Sequence, residues 1–240
     1  MQRRLRQRDT LFYGIADFAM AMLAWAMFFL YRKTLEGAAL TAEVFQDPNF
    51  YLGVLIVPVG WVLLYGIFDQ HTDIYRMSRL TTLTQTFFLS FLGVTFLFFS
   101  LILDDVVRDY RTYYNSFLTL FGLHFFLTAL SRMILLTRAS RRLKSGLITF
   151  NTLLVGGNQN ALDLYWDIKN RKKGLGNKFI GFVDTNGGSD QFMSEHMPLL
   201  GTVEDLGHII RSHEIEEVII AIETSEHNRL RGILNDLFDF

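Results

Sequence analysis

The sequence predicts two structures in one chain: an α-helical membrane domain of four transmembrane helices, followed by an α/β domain built on a parallel sheet. Three observations predict it. Four long apolar blocks fill the first 144 residues, short β-rich runs alternate with amphipathic stretches after them, and the charge divides along the same line. Half of the 240 residues are hydrophobic, 23 are Phe and only 20% are charged, which excludes a disordered or fibrous chain. Up to Lys144 there are 15 basic and 10 acidic residues, and after it 8 and 14, so the net charges are +5 and −6. The domains are therefore expected at 1–144 and 145–240. A nucleic-acid-binding body needs a basic excess on a soluble surface, so no nucleic-acid partner is expected. With no cysteine there is no disulfide framework, thiolate metal site or cysteine nucleophile, and no metal site is predicted.

The apolar blocks cover 11–31, 50–68, 80–103 and 112–131, and the last three contain no Asp, Glu, Lys or Arg. A hydrocarbon core of ~30 Å takes about 20 helical residues. Phe, Leu and Val surround each block on every side, as lipid exposure requires and an amphipathic soluble helix does not. The first block is too long for a cleavable signal. Basic residues set the orientation, because short Lys/Arg-rich loops stay cytoplasmic. Arg3, Arg4, Arg6, Arg8, Arg76, Arg79, Arg132, Arg138, Arg141, Arg142 and Lys144 flank one face. Arg32, Lys33, Arg108 and Arg111 flank the other, among six acidic residues. Both termini are expected in the cytoplasm of a multi-pass protein whose first partner is the lipid bilayer.

Arg138, Arg141, Arg142 and Lys144 stand where the last helix leaves the bilayer. There they are candidates for anionic headgroups, at about 1 kcal/mol per charge, or a plain stop-transfer signal. Asp17 lies inside the first span, where a charge costs about 2.5–3.5 kcal/mol, so it pairs or stays near the interface, and Arg132 is a candidate partner. His124, midway along the fourth span, reads as a neutral imidazole bonded to another helix. Pro58 reads as a kink in the second.

After Lys144, residues 147–155 (LITFNTLLV) read as a buried strand. The glycine turn Gly156-Gly157-Asn158 follows, then an amphipathic helix over 161–173 that ends at Gly174 with Lys169, Arg171, Lys172 and Lys173 clustered at its C-terminus. A second strand covers 178–184 (KFIGFVD), with a turn-rich loop over 185–190. Leu199-Leu200-Gly201 reads as a short strand leading into a helix capped by Thr202, with Asp205 completing a capping box. The run 217–222 (EVIIAI) is a third clear strand, and a last helix, capped by Thr224 or Ser225, runs to about Leu237. Strands apolar throughout and joined by helices make a parallel, doubly wound sheet of Rossmann-like type.

In that fold a glycine turn after the first strand lets a phosphate approach a helix N-terminus, and an acidic residue ending the second strand holds a ribose. The candidate nucleotide-binding residues are therefore Gly156, Gly157, Asn158 and Asp184. Asn158 replaces the second glycine of G-x-G-x-x-G and sets a side chain where the pyrophosphate meets backbone. Asp184 follows Gly156 by 28 residues instead of about 20. The same residues also read as a bare strand-to-helix turn.

Four spans with cytoplasmic termini, then LLVGGN, GFVD, LLGTVEDL and EEVIIAI, together resemble the N-terminal part of the bacterial polyprenyl-phosphate sugar-1-phosphate transferases of exopolysaccharide and O-antigen synthesis. Tyr75-Arg76-Met77-Ser78-Arg79 also looks like that family's pattern between spans two and three. The resemblance implies transfer of a sugar 1-phosphate from a nucleotide sugar to undecaprenyl phosphate at the inner membrane, with Mg²⁺ and a carboxylate nucleophile. In the family those belong to a further C-terminal domain with an Asp-Glu pair. Asp104-Asp105, Glu204-Asp205 and Glu216-Glu217 read instead as solvated surface charge, so no catalytic residue is assigned. The expectation is a chain incomplete at its C-terminus, working with a catalytic partner or as a homo-oligomer. Two alternatives stay open: the N-terminal portion of a membrane-bound nucleotide-sugar 4,6-dehydratase or epimerase, and a non-catalytic membrane scaffold or regulatory module.

Overall fold

The computed structural model describes residues 2–35, 37, 42–102, 110–171, 175–185, 191–222 and 227–237. The chain divides into two compact units, Met1–Ser140 and Arg141–Phe240.

The first unit is helical: α1 (Gln2–Leu35), a 3₁₀ turn (Ala42–Gln46), α2 (Pro48–Ile67), α3 (Arg79–Leu97) running into a π-helical turn (Phe98–Ile102), and α4 (Tyr110–Lys144), whose last residues belong to the second unit. These four helices are each long and apolar enough to cross a membrane. Two of them outrun their apolar blocks. α1 starts nine residues earlier, through an Arg- and Gln-rich stretch, and α4 continues to Lys144 through Leu, Ala, Arg and Lys, all strong helix formers. α2 opens with Pro48 at its first turn and Asp47 as N-cap, whose Oδ1 accepts from the Asn49 N–H at 2.9 Å. That hydrogen bond, with the Lys33 ammonium 3.2 Å away, holds the Asp47 carboxyl below its ordinary value.

Inside and outside are exchanged in this unit. Leu55, Leu63, Phe88, Phe126, Leu130 and Ile134 point outward and are exposed, whereas Asp17, Thr86, Ser90, His124, Thr128 and Arg132 are buried. An apolar cluster of Phe28, Val57, Trp61, Leu89 and Leu120 fills the rest of the interior. The polar groups are joined. Arg132, fully buried, donates from Nε to Asp17 Oδ1 (3.0 Å), from Nη2 to Asp17 Oδ2 (2.8 Å) and from Nη1 to Thr86 Oγ1 (2.8 Å) and Gln70 Oε1 (3.3 Å). A planar guanidinium suits this, because its fixed fork meets a carboxylate with two parallel bonds and has donors to spare. The Tyr65 ring lies 4.2 Å from the guanidinium carbon. His71 Nε2 is 2.9 Å from Asp17 Oδ2, and the Tyr65 hydroxyl is 2.8 Å from His124 Nε2. The connection between α2 and α3 is thereby tied inward, with Gln70, Ile74 and Tyr75 buried, the Thr10 hydroxyl bonded to the Thr72 carbonyl at 3.2 Å, and the Tyr75 hydroxyl bonded to Asp9.

The second unit is a four-stranded parallel sheet in the order β3-β2-β1-β4: β1 (Phe150–Val155), β2 (Asn177–Asp184), β3 (Leu199–Thr202) and β4 (Glu217–Ile220). Helices α5 (Gln159–Asn170), α6 (Gln191–Ser194) and α7 (Leu206–Ser212) connect the strands, and α8 (His227–Leu237) follows β4. β1 begins three residues later than its apolar run, after α4 ends and the chain turns through Ser145 and Gly146. Alternate residues of β1 serve two cores. Leu153 and Val155 pack with Leu206, Ile209 and Ile233, whereas Leu154 packs with Ala161, Tyr165 and Met193. A sheet covered on both faces explains why its strands are apolar throughout. The Thr202–Asp205 capping box forms as expected, while the caps at Thr224 and Ser225, the loop over 186–190 and residues 172–174 lie outside the described residues.

Candidate functional site

The strand order reverses at β1, whose neighbours are β2 on one side and β4 on the other. In an open parallel sheet the loops diverge at such a switch point and leave a crevice at the carboxyl edge. Gly156, Gly157 and Asn158 stand there. The Gly156 N–H donates to the Val183 carbonyl at 2.9 Å and Ala221 N–H to the Val155 carbonyl at 2.8 Å, so β1 is held from both sides up to its last residue. Gly156 has φ +131°, and a Cβ on it would stand 2.3 Å from the Ala221 carbonyl oxygen. Both facts require glycine at this close approach.

Asn158 is not where the sequence pattern sets it. Its Oδ1 accepts from the Ala161 N–H at 3.0 Å and caps α5. The side chain is folded back on the helix instead of standing in the path of a phosphate, because capping the first turn satisfies an otherwise orphaned donor. The 28-residue separation of Asp184 from Gly156 is likewise no obstacle. Val155 and Val183 are register partners, so Asp184 ends β2 level with Gly156, and it is buried. The four candidate residues thus meet on one edge of the sheet, with the N-terminal N–H groups of α5 beside them. That set can present backbone donors and a helix dipole to an anion, and a carboxylate to a hydroxyl.

The basic cluster lies on the last turns of α4. Arg138, Arg141 and Lys144 are exposed, and Arg142 is half-buried. At 100° per residue Arg138, Arg141 and Arg142 fall within a 100° arc, and Lys144 lies 60° beyond Arg141, one turn along the helix. Two acidic residues read as solvated surface charge are bonded. Glu217 Oε2 accepts from Asn177 Nδ2 at 2.7 Å and from the Thr152 hydroxyl at 3.4 Å, and Glu216 Oε2 from the Asn151 N–H at 3.3 Å. They hold the amino edge of the sheet together, away from the crevice. Among the described residues no group of three or more His, Cys, Asp or Glu could hold a metal ion. Mg²⁺, which the resemblance assigns to the family's further domain, is usually held by one or two carboxylates with water and phosphate oxygens.

Sequence reasoning missed Gln70, His71 and Thr86 as partners of the Asp17–Arg132 pair. The nearest signal was polarity alone: Thr82, Thr86 and Ser90 recur every four residues and so line one face of α3.

A family model described as a CoA-binding domain matches residues 64–239. No curated protein matches the chain.

Proposed function

The chain belongs to the CoA-binding domain family, a domain found in polyprenyl-phosphate sugar transferases, and on that premise we propose that it is the membrane and Rossmann-like portion of a polyprenyl-phosphate sugar-1-phosphate transferase initiating exopolysaccharide or O-antigen synthesis. The observation that carries this reading is continuity. The family's extent takes in α3, α4 and the end of α2 as well as the whole sheet, so two of the four apolar helices and the α/β unit fall within one family. The exchange of polar interior for apolar surface supports insertion of α1 to α4 in the bilayer, and the one-sided basic flanks support cytoplasmic termini at the bacterial inner membrane.

Within this reading the crevice takes a pyrophosphate-linked nucleotide, the chemistry that CoA and a nucleotide sugar share. The glycine turn and the N-terminus of α5 receive the phosphates, and Asp184 accepts from a ribose hydroxyl. The basic end of α4 takes anionic headgroups.

Three measurements test this. Membranes from cells lacking the protein are expected to lose transfer of labelled sugar phosphate from a nucleotide sugar to undecaprenyl phosphate, and to regain it on re-expression; undiminished transfer overturns the assignment. Calorimetric titration of the full chain with CoA, a UDP-sugar and pyrophosphate is expected to show binding that Asp184→Ala and Gly156→Ala weaken, and equal binding to all three proteins removes the crevice. Because the chain has no cysteine, single cysteines at Arg4 and Ser212 report topology directly, and labelling of either from the outer face would reverse it.

A further inference from the structure

Between α2 and α3 lies an apolar groove of about 640 Å³, within the size range of ligand-binding cavities. Its floor is Trp61, 3% exposed, whose indole stacks on the His124 imidazole with ring centres 3.6 Å apart. The benzenoid edge of that indole abuts Gly93, where a Cβ would stand 2.3 Å from the ring. The walls are Ile56, Leu63 and Ile67 from α2 and Leu92 and Phe96 from α3, all exposed along the groove.

Glycine inside a helix costs about 1 kcal/mol relative to alanine, and so asks for a reason. At Gly93 the reason is Trp61. At Gly60, which also lines the groove, a Cβ would meet nothing within 4 Å, so no protein neighbour requires the gap. The groove has a definite depth. From Ile56 to Ile67 the helix rises about 16 Å, which is half of the ~30 Å hydrocarbon core. A single hydrocarbon chain needs one leaflet. At one end α3 gives way to the π-helical turn, a feature frequent at functional sites, and Ser100 in that turn brings a hydroxyl to the lining.

We propose that this groove is a binding site for one hydrocarbon chain of a membrane lipid, held against Trp61, in contrast to the lipid that exchanges around the rest of the helical surface. The proposal rests on the reading of α2 and α3 as membrane-spanning.

The test uses the full chain with Trp25→Phe and Trp166→Phe, leaving Trp61 as sole indole, reconstituted in phosphatidylcholine vesicles with plain or brominated acyl chains. Loss of most of the Trp61 emission in brominated vesicles is expected despite its burial. Gly60→Leu, which fills the groove where there is room for it, is expected to restore that emission, and Gly122→Leu, equally unobstructed but on α4, to leave the quenching unchanged. Should Gly60→Leu not fold, Leu63→Ala widens the same groove and is expected to deepen the quenching. Protein that floats with the vesicles but shows an unquenched Trp61, or quenching indifferent to residues 60 and 63, overturns the groove alone. Protein that does not float with vesicles overturns the membrane reading and the groove with it.

Discussion

The two units of this chain solve opposite solvation problems with the same residues. In the helical unit the largest fully buried side chain is an arginine, and the surface is leucine, isoleucine and phenylalanine. In the α/β unit Leu153, Leu154 and Val155 are completely buried, and charged residues such as Asp163, Asp167 and Arg171 face outward. Burial alone therefore has no fixed chemical meaning in this protein. What decides is whether the surroundings can satisfy a polar group. Water does so outside the α/β unit, whereas in the helical unit only other side chains can, and Asp17, Arg132, Thr86 and Gln70 do it for one another.

That contrast can be broken most directly at its centre. Arg132→Leu leaves the Asp17 carboxylate buried without its main partner and is expected to destabilise the helical unit by about 3–5 kcal/mol, measured as thermal unfolding in detergent. Adding Asp17→Leu is expected to recover most of the loss. Equal stability of the single and double variants would show the pair to be incidental.

A second comparison uses one substitution in both environments. Leu118→Lys, at an exposed position near the middle of the fourth apolar block, is expected to cost about 2.5–3.5 kcal/mol, read as the membrane-inserted fraction. Leu234→Lys, at an exposed position of α8, should stay within about 0.5 kcal/mol by thermal unfolding. Similar outcomes at both sites would mean that the two surfaces meet the same solvent.

Gly156→Ala comes next, at about 1–3 kcal/mol, because the residue is asked to keep φ +131° and a Cβ 2.3 Å from the Ala221 oxygen. The loss should appear in the unfolding of the α/β unit and leave the helical unit unchanged.

The smallest effects are at the helix caps. Asn158→Ala and Asp47→Ala should each cost about 1 kcal/mol, but only one depends on pH. The Asp47 carboxyl is held below its ordinary value, so its contribution is complete above about pH 3.9 and is lost as pH falls through the lower value of the folded state. Asn158 does not titrate. The two variants should therefore diverge from each other only in acid.

The helices were legible because apolarity on every side over about 20 residues is a pattern that overrides sequence detail. Their lengths were not, because α1 and α4 extend through charged residues whose helix propensity carries no hydropathy signal. The strands and the glycine turn were legible for the same reason as the helices: burial on both faces leaves little choice of residue. Asp184 was placed correctly only by its position at a strand end, since spacing along the chain says little once parallel register sets the level of neighbouring residues. The role of Asn158 went the other way. A motif reads it as an obstacle, whereas the local hydrogen bond to Ala161 N–H turns it into a cap. Glu216 has the exposure that an acidic pair suggests, but the partners of Glu216 and Glu217, namely Asn151, Thr152 and Asn177, are distant in sequence and were not legible. The polar core of the helical unit was half visible: Asp17 demanded a partner and Arg132 was available, but nothing in a loop sequence announces that Gln70 and His71 turn inward.

Asp17 and Arg132 are 115 residues apart. At a ribosomal pace of about 5–20 residues per second, Asp17 is made roughly 6–23 s before the arginine that pairs with it. Throughout that interval the Asp17 carboxylate lacks the guanidinium that contacts both of its oxygens. In a bilayer, α1 cannot settle at its final depth as it emerges; it waits at the interface, or protonated, until α4 arrives. The polar core of the bundle is thus closed by its last helix.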